Sequence, residues 1–445
     1  MTASDTEVQA SGKCPMSGRG ATDPRNVSLD QTSLSDLEIL ARPKAFYRAM
    51  RSRDPVHYDA KLDMYLVSRF EDLQTVVRDP AMFSLERGYQ AQYAKGFNEE
   101  FQEIVKRDGG GFFGDPIMTD PPCHTRVRKL MEGAFTAHRV KELEPRISAI
   151  VADLIESFAG KGQIDGVSDF SVPLTIKVIC EQLGLGSQYE DKIQRWSLAV
   201  TAQIGRMQTH EQMLENAREI CDLQNCLIAN IRAREAQPQE DMISDLVHAR
   251  SDDAENPALS FEEVVPLVRA LLIAGNETTA TALSNLLFIL ATEPAIARQL
   301  ADAVDDERLL TRFIEELLRF APPVRGLARM TNREVELGGT LLPADAHLLL
   351  LFESANQDET VFPNPDEFDL NRGNIGRHVA FSAGIHRCVG LSLARMELKV
   401  AAREIVRRLD NIKLTIPPEE IRYLPTVATH SIEYLPLSFT RRQGK

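Results

Sequence analysis

The chain has 445 residues, of which 43% are hydrophobic, and a formal net charge of -14 at pH 7. This length and composition are sufficient for a large buried core, in one large catalytic domain or in two or three smaller domains. The acidic balance argues against a general nucleic-acid-binding function, because proteins of that class are usually basic.

The spacing of the cysteines and the lack of long apolar runs exclude further classes of protein. The six cysteines are scattered and form no CxxC pair, which argues against both a disulfide framework and a zinc site. No run of about 18 apolar residues is present, so we expect no membrane insertion. The N-terminus lacks the apolar segment of a secretory signal. We expect a cytoplasmic protein with a disordered segment over residues 1–30 and one folded domain over residues 31–445.

The N-terminal half is predicted to combine one hairpin with several helices. Residues 55–69 contain two β-rich runs separated by AKLD, which is typical of a hairpin. A helix is expected from Phe70 to Arg78. From Phe83 to Met118 the apolar periodicity is lost, and the GGGFFGDP segment indicates a long loop that covers a functional site. Between about residues 122 and 250 the apolar spacing is helical over several segments.

The C-terminal half contains the longest predicted helix, from Ser260 to about Thr292, with Ser260 and Glu263 as a capping box. A further helix is expected from Glu307 to Phe320, where two prolines end it. EVELGGTLLP and HLLLLFES are typical of strands, and a turn-rich segment follows them. A last helix is expected from about Val389 to Leu409, before a β-rich tail. The fold class is therefore mainly α with a smaller β portion.

The segment FSAGIHRCVG, from Phe381 to Gly390, is the strongest chemical signal. Its small residues predict a tight loop, and Cys388 lies where the next helix begins. Backbone N–H groups and the helix dipole favour a thiolate at such a position. A thiolate there suits axial ligation of haem iron, and Gly384 and Gly390 would let the backbone approach the macrocycle. The alternative is an inert buried cysteine beside a helix start.

The second signal is the polar segment AGNETT, from Ala274 to Thr279, inside the longest predicted helix. A glycine and a polar run conflict with a plain core role in an otherwise apolar helix. They are consistent with a helix that opens a groove for a small polar ligand. The alternative is a helix face that points to solvent.

Two further clusters place charged residues at helical spacing. Glu316 and Arg319, at i and i+3, can meet on one helix face, although this spacing alone usually indicates an exposed ion pair. His124 and Arg128, at i and i+4, would present two cationic groups to a pair of carboxylates. The alternative for the second pair is a solvated basic face.

Together these motifs resemble the cytochrome P450 family over roughly residues 40 to 440. FSAGIHRCVG matches the family's haem-binding loop, F-x-x-G-x-[H/R]-x-C-x-G, at each fixed position, with Ser382 where the family often has glycine. AGNETT is similar to the family's oxygen-binding motif, [A/G]-G-x-[D/E]-T-T. The resemblance implies the cytochrome P450 fold with Cys388 as the iron ligand. It also implies catalytic roles for Thr278, as a hydrogen-bonding partner in oxygen activation, and for Glu277, as a proton relay through water.

The resemblance also implies cofactor-binding and structural residues. Members of the family hold the haem propionates with histidine and arginine side chains. The matching cofactor-binding residues here are His124, Arg128, Arg329, His378 and His386, with Phe381 and Gly390 in the haem-binding loop. A buried charge network is implied as well, and its members are Glu316, Arg319 and Arg372.

The activity implied by the resemblance is that of a haem-thiolate monooxygenase. The enzyme would use haem b (iron protoporphyrin IX) and O2 to hydroxylate or epoxidise a mostly apolar small molecule. Electrons derived from NAD(P)H are expected from a separate ferredoxin and its reductase, with a flavodoxin as the alternative, because no flavin, dinucleotide-binding or iron–sulfur segment is recognisable. The candidate contacts for an acidic partner are Arg126, Lys129, Arg387 and Arg395.

The sequence narrows the substrate only to a class. By family analogy the pocket is built from the loop around residues 84–118, the helices near residues 185–210, and the residues Leu271, Leu272, Gly275, Val324, Arg325, Leu327 and Thr429. Most of these are apolar, which favours a terpenoid, steroid, alkyl-aromatic or fatty-acid-like compound. Arg325 is expected either to pair with a polar group of the substrate or to turn outward, and His430 is similarly ambiguous.

Three alternatives remain at this point. A peroxide-driven peroxygenase would keep the haem and need no redox partner, although Thr278 and Glu277 argue for oxygen activation. A non-catalytic haem-binding sensor would show redox behaviour that does not depend on substrate. A helical interaction protein without haem would purify colourless.

Overall fold

The structure, a computed structural model, describes residues 24–94, 99–135, 137–205, 208–252 and 257–442. Helices account for most of the described chain. The α-helices are α1 (Leu37–Ala41), α2 (Lys44–Arg53), α3 (Phe70–Arg78), α4 (Leu85–Ala94), α5 (Glu99–Asp108), α6 (Cys123–Glu132), α7 (Ala137–Glu142), α8 (Glu144–Ala159), α9 (Val172–Leu183), α10 (Glu190–Gly205), α11 (His210–Ala236), α12 (Met242–His248), α13 (Phe261–Thr292), α14 (Pro294–Ala303), α15 (Glu307–Phe320), α16 (Phe352–Ala355) and α17 (Leu391–Arg408).

The strands form three small sheets. They are β1 (Val56–Asp59), β2 (Met64–Val67), β3 (Phe83–Ser84), β4 (Gln163–Asp165), β5 (Gly326–Thr331), β6 (Val335–Leu337), β7 (Thr340–Leu342), β8 (His347–Leu351), β9 (Leu409–Leu414) and β10 (Pro436–Arg441). The largest sheet has the order β1-β2-β8-β5-β3, in which β2 and β8 are parallel and the other neighbours antiparallel. A second sheet has the order β4-β10-β9, and β6 and β7 form a hairpin.

Helix α13 is the central element of the fold. Ser260 caps its N-terminus in a capping box with Glu263, as predicted. Residues 264–273 pack with α5, α10 and α11, and residues 282–290 pack with α8, α15 and α17. A helix that is apolar on all sides must be buried by its neighbours. The polar segment 274–281 therefore lies between two hydrophobic cores, and this position is where the site is built.

Several predictions from the sequence are confirmed. The hairpin over residues 55–69 is formed by β1 and β2, which pair in antiparallel register. Helices α3 and α15 have the predicted bounds, and α17 begins within two residues of its predicted start. The fold class, mainly α with a smaller β portion, is also confirmed.

The prediction of a long loop from Phe83 to Met118 is wrong. The segment contains β3, α4 and α5, and its irregular part is confined largely to residues 109–115. Tertiary contacts stabilise both helices. Gly88 of α4 lies so close to the backbone of Arg329 that a Cβ would come within 2.7 Å of it, and α5 buries only two apolar side chains. Short helices with so few buried positions carry little apolar periodicity.

Smaller differences concern the chain ends and the strands. Strand β5 was not expected, and only the first half of HLLLLFES is a strand, because Phe352–Ala355 is helical. Residues 24–31 include two short 3-10 turns, and Val27 is buried. The expected disordered segment is therefore wrong for residues 24–30, and its part over residues 1–23 lies outside the described residues.

Within the described ranges, no single helix has the length and apolar character needed to cross a membrane. Only α13 and α14 taken together meet that condition, and they are bent by 114° relative to each other.

Candidate functional site

The Cys388 loop is a tight turn held by its own backbone. The N–H of Cys388 donates to the carbonyl oxygen of Phe381 (3.0 Å), and the N–H of Arg387 donates to that of Gly384 (3.2 Å). Gly384 has φ +68°, and a Cβ there would lie 2.4 Å from the carbonyl oxygen of Val77, so only glycine fits. The loop delivers Cys388 directly before α17, where backbone N–H groups are free to stabilise an anion.

Ser382 is the residue at which this loop departs from the family pattern. Its backbone conformation is strained. Its φ is +59°, in the left-handed region that L side chains rarely adopt. Its Oγ is buried and has no hydrogen-bond partner among the described residues. The serine therefore costs free energy on two counts, without a contact within the described chain that offsets them.

The surroundings of the Cys388 thiol differ from those of an inert buried cysteine. Cys388 is exposed, although the enclosing loop still desolvates its thiol. That desolvation raises the pKa of the thiol above its ordinary value, and a backbone N–H and the charges of Arg128, Arg395 and Arg387 offset the rise only in part. At the buried Cys180, desolvation raises the pKa to about 12. Cys388 differs in being accessible and in having a backbone N–H and three cations around it that favour the thiolate.

The polar segment of α13 forms an open strip in an otherwise buried helix. Ala274 is exposed and Thr278 is partly exposed, whereas residues 264–268 are buried. The Thr278 hydroxyl donates to the carbonyl oxygen of Ala274 (2.8 Å). Asn276 instead bonds to hydroxyls of α9 and α10. The strip therefore presents small residues and one hydroxyl, which agrees with a groove for a small ligand.

The Glu277 carboxyl group is surrounded by hydroxyls. Burial raises its pKa to about 7, and contacts with the hydroxyls of Thr201 and Thr429 lower it only in part. Its Oε2 has no hydrogen-bond partner within the described chain. A carboxyl group whose pKa lies near neutrality can both take up and release a proton at pH 7.

Four cation-capable side chains meet where α6 approaches the Cys388 loop. The ring centroids of His124 and His386 are 4.1 Å apart, and Arg128 donates to a carbonyl oxygen of the loop (2.8 Å). Desolvation, together with His124, Arg329 and Arg128, lowers the pKa of His386 to about 3. Burial likewise lowers the pKa of Arg329 to about 10. The cluster therefore places two guanidinium groups beside two histidine rings that stay uncharged at neutral pH, in a partly desolvated place.

This cation cluster (His124, Arg128, Arg329 and His386) is short of hydrogen-bond acceptors. Both ring nitrogens of His124 and Nε2 of His386 are buried without a hydrogen-bond partner in the part of the chain that the structure describes. Asp120 acts on His124 and Arg329, but its carboxylate already accepts hydrogen bonds from the Ser84 hydroxyl and a backbone N–H. Buried cationic groups without acceptors suit an anion with several oxygen atoms.

His378 does not join the cation cluster, so its assignment to the propionates is wrong. Its Nε2 lies 3.1 Å from the carboxylate of Glu315, which Arg395 also binds, at 2.6 and 2.7 Å. Burial raises the pKa of Glu315, but His378 and Arg395 outweigh it and lower the pKa to about 2. The Arg395 guanidinium also lies 4.6 Å from the ring centroid of Phe381, which anchors the loop to the core. No sequence motif singled out Glu315.

The Glu316 network joins two side chains of α15 to Arg372, which lies in a distant segment of the chain. Arg319 binds both carboxylate oxygens of Glu316 at 2.8 Å, and Nε of Arg372 donates to Oε1 at 3.1 Å. All three side chains are buried. The two guanidinium groups also donate to several backbone carbonyl oxygens. Every charge in this network therefore has a partner.

Arg325 is not a pocket residue, contrary to both expectations for it. Its guanidinium is fully buried and donates to Glu353 (3.2 Å), to the carbonyl oxygen of Thr429 (2.9 Å) and to that of Leu40. His430 is also buried, with Nδ1 2.8 Å from the Glu353 carboxylate. Glu353, which the sequence analysis did not single out, therefore binds both residues and keeps them from a ligand.

The other expected pocket residues divide into two groups. Leu271 and Leu272 are buried in the core with α10 and α11, whereas Gly275, Val324 and Leu327 are partly exposed. A cavity of about 20 Å³ lies between α5, α10, α11 and α13, and its lining includes Phe101, Phe112, Phe113, Gln203, Gln224 and Arg269. Phe101, Phe112, Phe113 and Gln203 fall within the ranges expected to build the pocket, residues 84–118 and 185–210, whereas Gln224 and Arg269 were not expected.

The expected partner-binding cations are only partly accessible. Arg126 pairs with Glu263, and Arg395 with Glu315, so both are held by the chain itself. Lys129 is 65% exposed, with Asp252 at 3.6 Å, and Arg387 is exposed. The candidate docking surface is thus reduced to Lys129 and Arg387.

The fold and this site define a class of protein that holds a haem between a central helix and a cysteine loop, and comparisons with known proteins agree. A family model for Cytochrome P450 matches residues 90–421. The chain is 34% identical to the cyclomarin C epoxidase of Salinispora arenicola, over 86% of this chain and 92% of that protein. It is 31% identical to the 6-deoxyerythronolide B hydroxylase of Saccharopolyspora erythraea, over 91% of this chain and 99% of that protein.

Solved structures give the same result. A cytochrome P450 from Chondromyces apiculatus is similar with a TM-score of 0.81 and 31% identity, over 93% of this chain and 100% of that one. The chain therefore belongs to the cytochrome P450 family, and it is a monooxygenase with a haem cofactor. The site fits that cofactor, because the buried cation cluster lacks acceptors that two carboxylates would supply, and because Cys388 is accessible beside it.

Proposed function

We propose that this enzyme inserts one oxygen atom from O2 into a mostly apolar small molecule, with haem b bound through Cys388. The observation that carries the proposal is the cation cluster, which is buried, short of acceptors and directly beside the Cys388 loop. Bound haem supplies the chemistry of oxygen reduction and insertion, and a thiolate ligand promotes O–O cleavage.

The residues of the chain would bind the cofactor, support the Cys388 loop and transfer protons. The Cys388 sulfur would hold the iron, and the four members of the cation cluster would hold the propionates. Phe381 and Gly390 would shape the loop, and the Glu316 network would fix the core that carries it. Thr278 would place a hydroxyl on the open strip of α13. Glu277, with a pKa of about 7, would take up and release protons at its carboxylate.

The substrate class is proposed to be terpenoid, steroid, alkyl-aromatic or fatty-acid-like. The partly exposed Gly275, Val324 and Leu327, which are apolar or lack a side chain, support an apolar ligand. A relative that is 32% identical, over 89% of this chain and 94% of that protein, is the steroid C26-monooxygenase of Mycobacterium tuberculosis. Steroids are therefore the first class to test.

The first experiment is a titration of the Soret spectrum of the purified ferric enzyme with one compound from each class. A saturable change of spin state with one class, at constant haem content, is expected because a bound apolar molecule displaces water from the iron. The Cys388→Ala variant, as a control, should lose the spectrum of a thiolate-bound haem. Absence of haem absorption in the wild-type enzyme, even after reconstitution, would contradict the proposal.

Electrons are proposed to come from NAD(P)H through a separate ferredoxin and its reductase, which dock near Lys129 and Arg387. Charge reversal of both residues should slow reduction of the iron by the ferredoxin about tenfold or more at low salt, and less at high salt. Reversal of Arg422, which is 74% exposed, is the matched control. An unchanged rate and salt dependence in the double variant would show that this surface is not the docking site.

A further inference from the structure

Asn276 joins three helices at the level of the open strip of α13. The Thr175 hydroxyl of α9 donates to Oδ1 of Asn276 (2.6 Å), and Nδ2 of Asn276 donates to the hydroxyl oxygen of Ser197 on α10 (2.9 Å). All three side chains are at most 4% exposed. This Asn276 junction (Thr175, Ser197 and Asn276) therefore uses both ends of one amide, as acceptor and as donor, across two helix interfaces.

The position of Asn276 along the helix places it opposite the open strip. Ala274 and Thr278 are four residues apart and lie on one face of α13, and Asn276 is midway between them. Since each residue turns an α-helix by about 100°, the Asn276 side chain points about 200° away from both. Ala274 is exposed and Asn276 is buried, as this geometry requires. The strip is therefore attached to α9 and α10 on its reverse side.

The polar segment of α13 is a weak helix by its own composition. Gly275 has a low helix propensity, and Thr278 and Thr281 are β-branched. The hydroxyls of both threonines donate to carbonyl oxygens four residues earlier, those of Ala274 (2.8 Å) and Glu277 (2.9 Å). Such bonds compete with the backbone hydrogen bonds and tend to bend a helix. The segment therefore depends on neighbouring elements more than the apolar parts of α13 do.

Close packing of α9 on α13 brings the partners of Asn276 within reach. A Cβ at Gly275 would lie 3.2 Å from Cδ1 of Ile179, so the two helices approach closely at the residue before Asn276. The apolar parts of α13 on either side of the segment pack in different cores. Apolar contacts have no preferred direction, whereas hydrogen bonds require a narrow range of angles. The two bonds of Asn276 are therefore suited to fix the rotation of α13 at the strip.

We propose that Asn276 is a positioning residue, which holds the polar segment of α13 against α9 and α10 so that Thr278 stays on the open strip. Its polar atoms bind Thr175 and Ser197, so it acts through the helix that carries Thr278 and Glu277. The proposal rests on the function proposed for those two residues. Without the two hydrogen bonds, the segment should open more often, and the Thr278 hydroxyl should then be misplaced.

The test separates positioning from a plain contribution to stability. Asn276→Leu alone leaves the hydroxyls of Thr175 and Ser197 without this partner, so the variant should unfold at a lower denaturant concentration. The triple variant Thr175→Val, Ser197→Ala, Asn276→Leu removes every polar group of the junction. Replacing all partners by apolar side chains is nearly neutral for stability, so its unfolding midpoint should return toward that of the wild-type enzyme.

Hydrogen exchange in the ferric holoenzyme measures the opening of the segment directly. In the triple variant the backbone amides of residues 274–281 should exchange about tenfold faster, relative to those of residues 285–290, than in the wild-type enzyme. The matched control is Asn285→Leu, at another buried asparagine of α13, whose Nδ2 donates to the carbonyl oxygen of Ala321 (3.2 Å). The control should leave exchange at residues 274–281 unchanged.

Turnover gives a second measurement, the share of electrons that reaches product instead of peroxide, with the compound that gives the largest change in the Soret titration. Thr278→Val should lower this share. The triple variant should lower it as well, and adding Thr278→Val to the triple variant should give little further loss, because both changes act on the same hydroxyl. An unchanged share in Thr278→Val alone would refute the function proposed for Thr278, whereas the exchange rates bear on Asn276.

Three outcomes would overturn the positioning role of Asn276. One is unchanged exchange at residues 274–281 in the triple variant. Another is faster exchange with an unchanged electron share, in an enzyme in which Thr278→Val lowers that share. The third is a loss in Asn276→Leu that the triple variant restores together with stability, because Asn276 would then serve only to satisfy buried hydroxyls.

Discussion

The cation cluster and the Glu316 network both gather charged and titratable side chains, and they differ in how their hydrogen bonds are satisfied. The Glu316 network is buried, whereas Arg128 and His386 of the cation cluster are partly exposed. In the Glu316 network both arginines bind a shared carboxylate and several carbonyl oxygens. In the cation cluster, His124 and His386 have buried nitrogens without partners among the described residues. A saturated charge network holds the fold together, whereas an unsaturated one holds a place for a ligand.

Whether a charged side chain already has its hydrogen-bond partners within the protein also explains two errors of the sequence analysis. His378 and Arg325 were both expected to face a ligand. In the structure each is bound by a carboxylate of the chain, Glu315 and Glu353 respectively. Saturation of hydrogen bonds therefore separates binding residues from structural ones more reliably than residue type.

The largest expected effect comes from breaking the saturated network. Glu316→Ala leaves two buried guanidinium groups without their carboxylate and should lower the free energy of unfolding by about 3–5 kcal/mol. The control is Glu307→Ala on the same helix, where an exposed carboxylate pairs with Lys399 and Arg403. That change should cost about 1 kcal/mol or less. Equal losses in denaturant unfolding would contradict the comparison.

The second prediction concerns acid stability of the haem-free chain. The pKa of His386 is about 3, against 6.5 when unfolded, so the unfolded chain binds the proton first as the pH falls. Above pH 6.5 this histidine is uncharged in both states and does not change the free energy of unfolding. Between pH 6.5 and 3 its protonation in the unfolded chain lowers the free energy of unfolding by on the order of 3 kcal/mol.

His386→Phe should reduce the decrease in unfolding free energy at acid pH, whereas replacement of the exposed His210 by Gln should not. Haem binding should also reduce the loss, because a propionate beside the ring favours its protonated form. Identical pH profiles of unfolding for wild type and His386→Phe would remove the basis of the prediction.

Removing an arginine from the cation cluster should raise the unfolding free energy of the haem-free chain and lower its affinity for haem. Arg329→Met deletes a buried charge that donates to the carbonyl oxygen of Ala328 (2.8 Å) but has no ion-pair partner among the described residues, so the haem-free chain should gain about 1–2 kcal/mol of unfolding free energy. Haem affinity should fall about tenfold or more, because a charge-assisted hydrogen bond is lost. The mirror variant, Arg319→Met in the saturated network, should lose stability instead. A loss of stability in both would mean that Arg329 is structural.

The smallest expected effect is at Ser382, whose hydroxyl is also unsatisfied. Ser382→Gly relieves a positive φ and removes a buried hydroxyl without a partner in the described chain, so it should raise the unfolding free energy by about 1 kcal/mol. Ser382→Ala removes the hydroxyl but keeps the strain, and should gain less. A gain with alanine as large as that with glycine would assign the cost to the hydroxyl alone.

Local patterns predicted the parts of the fold and site whose contacts are local. The capping box at Ser260, the hairpin of β1 and β2, and the Cys388 loop each depend on neighbouring residues, and each is found where predicted. Helices α4 and α5 depend on partners distant in sequence, as at Gly88 against Arg329, and were missed for that reason.

The chemical groups of the site can be read from the amino-acid order: one cysteine before a helix, a polar strip in the longest apolar helix, and the histidines and arginines that can hold an anion. Which of those charges are already paired depends on how the chain packs. Glu315 and Glu353 bind residues 63 and 77 positions away, His378 and His430. Such pairings depend on how whole elements pack, because the free energy of a buried charge is set by the acceptors within reach and not by its neighbours along the chain.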